Sequence, residues 1–412
     1  MGSGNTKLLD QDKLAPWDTD LGHFRPDPCS FPTLPAGSFT TTRKIAQCHH
    51  GDVMLSVDST GKDVVVKHIG NGIMDRLQKI DRNDRNAFLD STSPGDVEDP
   101  LAEIGVMMYL EQLPDKSPYL LRMLSVFSDC SLFPEHVWLV TEYANGGDLF
   151  EEVRRQGRLS ESDTNRHFGH LLRAVQYLDQ HDIGHRDISL ENILLKDGEV
   201  RLMDFGQAAR SRSSNGQALR YFRKAGKECY RAPEANVPCV EDVCGCGPPG
   251  SSPGDVVSVD VREWCSLQVR LPLDMIPERP CTADVWGYEL PAADIFSVGM
   301  CLFMMLYGQF LFRRSVLSDE IFAHLHQVGL EVALDSLGLQ APDTEALCLL
   351  AGMLHSDPAQ RICVADCLRS PWVMEDDWPC RAFVAGVAGP IVRSRSSWIR
   401  DGLLVGACVG GA

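Results

Sequence analysis

The chain has 412 residues, 44% hydrophobic, 23% charged and 8% aromatic, a balance that excludes collagen-like, wholly disordered and small disulfide-scaffold proteins. A formal net charge of −18 is unsuited to a phosphate backbone, so no nucleic acid is expected as a partner. The 15 cysteines, an odd number spread along the chain behind an N-terminus with no apolar segment, read as mostly free thiols in a reducing, cytoplasmic compartment.

Residues 1–38 are rich in Pro, Asp and Gly, lack periodicity and read as an irregular leader. β-type stretches follow at 39–45, 52–57 and 63–67, the last two joined by Ser59-Thr60-Gly61-Lys62, which suits a hairpin. Residues 82–99 are loop-like, and 101–113 carry apolar residues at helical spacing. Strands are expected at 120–127 and 136–142, then helices at 148–155 and 160–181, the latter capped by Ser160 ahead of Glu161 and Asp163. A cluster of breakers at 245–254 marks an insertion, about 236–286, expected as a disordered or substrate-docking loop. Apolar helices are expected at 292–307 and 343–355, and a weakly ordered tail at 376–412. No run reaches the roughly 18 apolar residues of a membrane-spanning helix; 300–306 and 403–409 are the longest and too short. Strands followed by helices indicate an α+β chain.

The decisive segment is His185-Arg186-Asp187-Ile-Ser-Leu-Glu-Asn192, then Ile193-Leu194-Leu195, then Asp204-Phe205-Gly206. Here the sequence resembles the eukaryotic protein kinases: H-R-D-x-x-x-x-N, a short hairpin and D-F-G. The match continues at Tyr230-Arg-Ala232-Pro233-Glu234, Asp294-Ile-Phe-Ser-Val-Gly299 and Asp357-Pro-Ala-Gln-Arg361, in family order over about 320 residues. The resemblance implies a bilobal kinase domain over 39–375. It has a β-rich N-lobe with one main helix (39–144), a larger helical C-lobe (145–375), ATP and Mg²⁺ as cofactors, and protein substrates.

Phosphoryl transfer spreads negative charge over phosphoryl oxygens, so catalysis rests on positioning and cations. Mg²⁺ takes oxygen ligands, and the resemblance gives that task to Asn192 and Asp204. It makes Asp187 the acceptor of the substrate hydroxyl proton. Lys67, ending Val64-Val65-Val66-Lys67, should reach the α- and β-phosphates, paired with Glu103; Glu98 and Glu111 fit the helical register less well. The adenine should meet the Glu142 carbonyl and Ala144 amide beside a small Thr141, between Val53, Val65 and Leu194. Asp148 is placed for the ribose or a basic substrate residue, and Glu191 with it for Arg upstream of the target. Met304 replaces an acidic residue that some basophilic kinases carry. Met107, Met123, His185 and Phe205 resemble the family's internal spine, Asp294 should bond the catalytic-loop backbone, and Glu234 and Arg361 should form a buried ion pair.

The sequence departs from the family pattern at three places. The glycine-rich loop reads Ala46-Gln-Cys48-His49-His50-Gly51, and side chains at its first two glycine positions restrict backbone approach to phosphate, so weaker nucleotide binding is expected. Ser189 stands where Ser/Thr kinases usually carry Lys, and Lys227 stands where the activation segment usually carries Thr. The two look like one exchange, with Lys227 neutralising the transferred phosphoryl and Ser189 bonding Asp187. Ser211, Ser213 and Ser214 lie among arginines, but Arg223 occupies the usual activating phosphosite.

Cys239, Cys244 and Cys246, with Cys265 and Cys281 beyond, lack the paired rhythm of zinc sites. The start Met1-Gly2-Ser3-Gly4-Asn5-Thr6 fits an acylation pattern, and one acyl chain on Gly2 would give only weak peripheral membrane association. The sequence reads as a Ser/Thr kinase, because the catalytic-loop signatures of tyrosine kinases are missing. The alternative is a pseudokinase acting as a nucleotide-binding scaffold or allosteric partner. A small-molecule kinase is disfavoured by Ala232-Pro233-Glu234.

Overall fold

The computed structural model describes residues 24, 26–48, 51–70, 99–129, 136–222, 224–238, 242–245, 247–276 and 279–374. His49, His50, Glu98, Arg223, Cys239, Cys246, Gly2 and the tail at 376–412 lie outside them.

The N-terminal half builds an antiparallel sheet from β1 (Phe39–Cys48), β2 (Gly51–Asp58), β3 (Asp63–Ile69), β4 (Met123–Ser128) and β5 (Val137–Glu142), in the order β1-β2-β3-β5-β4. The β2–β3 turn closes where expected: Asp58 Oδ1 accepts from the Thr60 and Lys62 amides at 2.8 and 3.0 Å, and Gly61 takes φ 86°. Alternation sorts the side chains of β3. Val64 and Val66 pack with Val140, Phe39, Phe127 and Trp138 on one face. Val65 and Lys67 take the other, in register with Leu55 and Val53 on β2 and with Thr141 and Leu139 on β5.

Behind that second face lies α1 (Pro100–Gln112), begun by Asp99, whose carboxylate accepts from the Leu101 amide at 3.0 Å, and by Pro100 in the first turn, where a missing N–H costs nothing. Part of the expected leader is anchored on this helix. A Cβ on Gly105 would stand 2.0 Å from the Phe24 carbonyl oxygen, so only glycine admits that contact. Buried Phe24 meets the Tyr109 ring edge-on at 5.7 Å, and Thr33 bridges to Ser128.

The larger lobe carries α2 (Leu149–Gln156), α3 (Glu161–Gln180), β6 (Ile183–Gly184), the β7 (Ile193–Lys196)–β8 (Glu199–Leu202) hairpin, and β9 (Ala209–Arg210) paired with β6. As expected, the Ser160 hydroxyl caps α3 by accepting from the Asp163 amide at 3.1 Å.

The insertion corrects the expectation of a disordered or docking loop. It folds as an antiparallel sheet of β10 (Asp242–Gly245), β11 (Val256–Val261), β12 (Trp264–Arg270) and β13 (Cys281–Val285), ordered β10-β13-β12-β11. The breakers occupy the connection before β11. The strands themselves are Val-rich and β-branched, and Cys265, Leu267 and Val269 of β12 are buried in the lobe's core.

After the insertion come α4 (Leu290–Tyr307), α5 (Glu320–Val328), α6 (Leu330–Ser336), α7 (Thr344–Met353), and the short α8 (Val364–Cys367) and α9 (Pro371–Met374). By length and composition α4 could cross a membrane, with 18 residues of mean hydropathy 1.7, which corrects the expectation that no segment qualifies. Here it is the core of the lobe, 78% of it buried in protein, with Asp294 and Ser297 on its inward faces. Glu234 and Arg361 form the expected ion pair with two parallel bonds, 2.6 and 2.9 Å, both side chains wholly buried.

Candidate active site

The 185–192 loop is pinned from below. Asp294, near the start of α4, accepts from the His185 and Arg186 amides at 2.7 and 2.8 Å. Burial pushes its carboxyl up to about 7 against the pull of those two donors. This clamp holds Arg186 at φ 68°, a left-handed conformation that costs a non-glycine residue about 1 kcal/mol or more. His185 is buried, and burial pushes its pKa down. The neutral ring fits its two bonds: Nε2–H donates to the Met203 carbonyl at 3.0 Å, and Nδ1 accepts from the Asp187 amide at 3.3 Å.

Around Asp187 four groups converge. Asn192 Nδ2 donates to the Asp187 carbonyl at 2.8 Å and to its Oδ2 at 2.9 Å. The Lys227 amide donates to Oδ1 at 3.2 Å, and its ammonium lies 3.1 Å from Oδ2. The same ammonium donates to Ser189 Oγ at 2.9 Å. The exchange expected from sequence therefore exists as a contact, with one correction. Ser189 Oγ accepts from the Lys227 ammonium, and no bond from Ser189 to Asp187 occurs among the described residues. Gly226 delivers Lys227 to this point at φ 75°, where a Cβ would stand 2.6 Å from the Arg186 carbonyl oxygen.

Asp204 follows β8 and is tied to this loop through the Met203 amide, which donates to the Asn192 carbonyl at 2.9 Å. Its own φ is 65°, and its Oδ1 accepts from the Gly206 amide at 3.3 Å. Phe205 is fully buried, 5.2 Å from the His185 ring, in the same core as Met107 and, partly buried, Met123. The Gly206 carbonyl accepts from the Asp99 amide at 2.9 Å, so the first residue of the Asp204 segment's turn holds the start of α1. That docking brings Glu103 to Lys67, Nζ to Oε2 2.6 Å, a partly buried pair. Of the alternative partners, Glu111 is taken by Arg122 at 2.6 Å and Lys116 at 2.9 Å.

The link between lobes holds a cluster that sequence reasoning missed. The buried Glu142 carboxylate accepts from the Arg122 amide at 3.1 Å, pairs with Lys196, and lies 3.5 Å from Arg201. Thr141 and Ala144 are buried beside it, and among the described residues the Ala144 amide has no hydrogen-bond acceptor. Gly146 and Leu195 bond through their backbones at 2.8 Å, which sets Leu194 against the link. Asp148 spends Oδ1 on capping α2, accepting from the Glu151 amide at 2.8 Å, so only Oδ2 is free for the ribose or substrate contact expected of it. Glu191 is half-buried, and its Oε2 has no partner among the described residues.

At the sheet's edge Ala46 is exposed on β1, Cys48 ends that strand, and Gly51 opens β2 at φ 152°. A Cβ on Gly51 would stand 1.9 Å from the His68 carbonyl oxygen. This glycine is thus demanded by the neighbouring strand, independently of any phosphate.

Arg186 points away from Asp187. Its guanidinium lies over the Tyr221 ring at 4.9 Å and donates to Tyr288 Oη at 3.4 Å and the Gln207 carbonyl at 3.3 Å. Tyr221 and Tyr288 also pair through their backbones at 3.0 Å. Of the serines expected as phosphorylation candidates, Ser211 is buried, and Ser213 Oγ is bonded inside its own turn to the Gln217 carbonyl at 3.3 Å.

A five-stranded lobe over a helical lobe, with Lys–Glu, Asp–Asn and Asp-Phe-Gly elements facing the junction, defines a protein kinase domain. The family model described as "Protein kinase domain" matches residues 39–240. The chain belongs to the eukaryotic protein kinase superfamily. It is 26% identical over 267 residues to the serine/threonine-protein kinase CHK1 of Saccharomyces cerevisiae, covering 64% of this chain and 41% of that one. It is likewise 26% identical over 261 residues to CBL-interacting protein kinase 31 of Oryza sativa, covering 62% and 44%. Over 101 residues it is 41% identical to the putative sperm motility kinase W of Mus musculus, 24% of this chain and 19% of the relative. The chain thus spans less than half the length of these relatives.

Proposed function

We propose that the chain is an active ATP- and Mg²⁺-dependent kinase that phosphorylates Ser and Thr hydroxyls of protein substrates. The observation that carries this reading is the Lys227 ammonium held between Asp187 and Ser189. A chain that had lost phosphoryl transfer would have no use for restoring, from another segment, a cation at this point.

The residues present fit the cofactors. Asn192 commits its amide nitrogen to Asp187, which leaves Oδ1 as a hard oxygen donor. Asp204 adds carboxylate oxygens from the adjoining loop. The unengaged Ala144 amide and the Glu142 carbonyl suit an adenine edge, with Val53, Val65 and Leu194 against its faces. Bound ATP and Mg²⁺ would supply the transferable phosphoryl group and the cation that offsets its charge.

The chain's own residues do the rest. Glu103 holds Lys67 extended towards the α- and β-phosphate positions. Asp187, oriented by Asn192 and Lys227, accepts the proton of the incoming hydroxyl and aligns it. Lys227 brings one positive charge to the side of Asp187 where negative charge develops, and Ser189 positions that ammonium. Asp148 Oδ2 and Glu191 favour a substrate with Arg ahead of the target residue. CBL-interacting kinases among the relatives suggest that regulatory protein partners belong to this reading as well.

The test is transfer from γ-labelled ATP to a generic basic protein, comparing the wild type with Asp204→Asn. Label in the wild type and none in the variant supports the proposal. ATP binding with no label in either supports the scaffold reading.

A further inference from the structure

The stretch that leaves the insertion sheet grips the segment between Asp204 and Glu234 before α4 begins. Trp286 follows β13 directly, and its amide donates to the Gln268 carbonyl of β12 at 2.8 Å, so it stays tied to the sheet. Two residues on, Tyr288 and Tyr221 exchange both backbone bonds at 3.0 Å, an isolated antiparallel bridge. Gly287 lies between them in sequence and space. At its φ of 78° a Cβ would stand 2.6 Å from the Tyr221 carbonyl oxygen and 3.2 Å from the Phe222 ring, so a side chain at 287 would push the two segments apart.

Side chains extend the contact in both directions. The Trp286 ring carries the Arg270 guanidinium of β12 at 4.8 Å from its centroid and that of Arg220 at 6.0 Å. Its indole nitrogen is buried without a partner among the described residues, so the ring acts through its faces. Arg220 also pairs with Glu289 at 2.5 Å. Glu289 stands at the N-cap of α4 but makes no capping bond, and its carboxylate serves Arg220 instead. On the other side, the Tyr288 hydroxyl accepts from Arg186 of the 185–192 loop at 3.4 Å.

We propose that the insertion sheet is an internal brace: through Trp286 it holds residues 220–222 against the entry to α4, and so keeps the segment that carries Lys227 where its ammonium reaches Asp187. Trp286, Arg270 and Gly287 are positioning residues, since none of them touches the reacting atoms. Plain packing of the sheet on the lobe would need neither a glycine at 287 nor the diversion of Glu289 from its cap. The effect on phosphoryl transfer rests on the kinase reading above, whereas the brace itself does not.

The test is hydrogen exchange of the full chain, read at the Tyr221 and Tyr288 amides and, as the measure of whole-domain opening, at the amides of α4. Trp286→Ala is expected to speed exchange at the two tyrosines about tenfold and to leave α4 unchanged. Trp286→Phe keeps a ring face and is expected to restore most of the protection. In transfer assays Trp286→Ala is expected to turn over about tenfold more slowly, with KM for ATP within about twofold of the wild type. Unchanged exchange at the tyrosines, an equal rise there and in α4, or faster exchange with unchanged turnover overturns the proposal. Should Trp286→Ala not fold, Arg270→Met decides. Exchange about threefold faster or more at the tyrosines alone supports the brace, and wild-type exchange overturns it. The exchange measurement needs no catalysis, so a wild type that transfers no label overturns the kinase reading while the brace is still decided.

Discussion

Lys227 and Asp187, 40 residues apart in sequence, meet through an ammonium-to-carboxylate contact of 3.1 Å, and Ser189 receives the same ammonium at 2.9 Å. The cation beside Asp187 thus comes from the segment that follows Asp204, not from the 185–192 loop itself. Removing it as Lys227→Met is expected to lower the turnover rate about 10²-fold or more, with a smaller change in KM for ATP. The pair Ser189→Lys with Lys227→Thr moves the ammonium back into the catalytic loop, and is expected to recover at least about tenfold of the loss. Steady-state kinetics on Lys227→Met, on the single variants Ser189→Lys and Lys227→Thr and on the double variant checks both, and additive losses in the double variant contradict the exchange.

Arg186 faces two tyrosines instead of a phosphate. With Tyr221 across its guanidinium and Tyr288 at its edge, the activation segment is held to the catalytic loop by groups already in the chain. Phosphatase treatment is therefore expected to leave activity unchanged, whereas Tyr221→Ala, which removes the cation–π contact, lowers it about tenfold. Activity measured before and after dephosphorylation, with the phosphorylation state read by mass spectrometry, decides this.

Two histidines of α3 set an acid limit on stability. Burial pushes His167 and His170 down to about 4, from an ordinary value of 6.5. Between pH 6.5 and 4 the unfolded chain takes up protons that the folded chain refuses, so stability falls as pH drops through that window and levels off below it. Each contributes on the order of 3 kcal/mol across the window. Urea midpoints measured from pH 7 to 4 are expected to decline steeply in the wild type and less so in His170→Gln.

The Glu234–Arg361 pair is wholly buried, and Arg361 also donates to the Ala292 carbonyl at 2.7 Å. Arg361→Met leaves a carboxylate buried without its cation and is expected to cost about 3–5 kcal/mol. Glu234→Gln with Arg361→Met removes the stranded charge and is expected to be milder than Arg361→Met alone. Chemical denaturation of both variants tests the order.

The site was legible wherever its members are close in sequence or share a periodic element. Asp187, Asn192 and Asp204 fall in one short stretch, and strand alternation with helical spacing was enough to pair Lys67 with Glu103. Contacts made by folding alone were not legible. Glu142 draws Arg122, Lys196 and Arg201 from three separate segments, and nothing in its neighbours signals a buried cluster. The insertion was misread because Gly and Pro in its connecting loop outweighed the β-branched strands around it. Phe24 sat in a stretch without periodicity, yet one backbone contact with Gly105 anchors it. The membrane-like composition of α4 is that of a helix enclosed by protein on all sides, with Asp294 turned to the catalytic loop.

The most direct measurement is the identity of the residues labelled when the wild-type chain, ATP and Mg²⁺ are incubated with a peptide library, with Asp187→Asn run beside it. The account predicts phosphate on Ser and Thr from the wild type, and none from the variant. Label confined to Tyr, or equal label from Asp187→Asn, would contradict it.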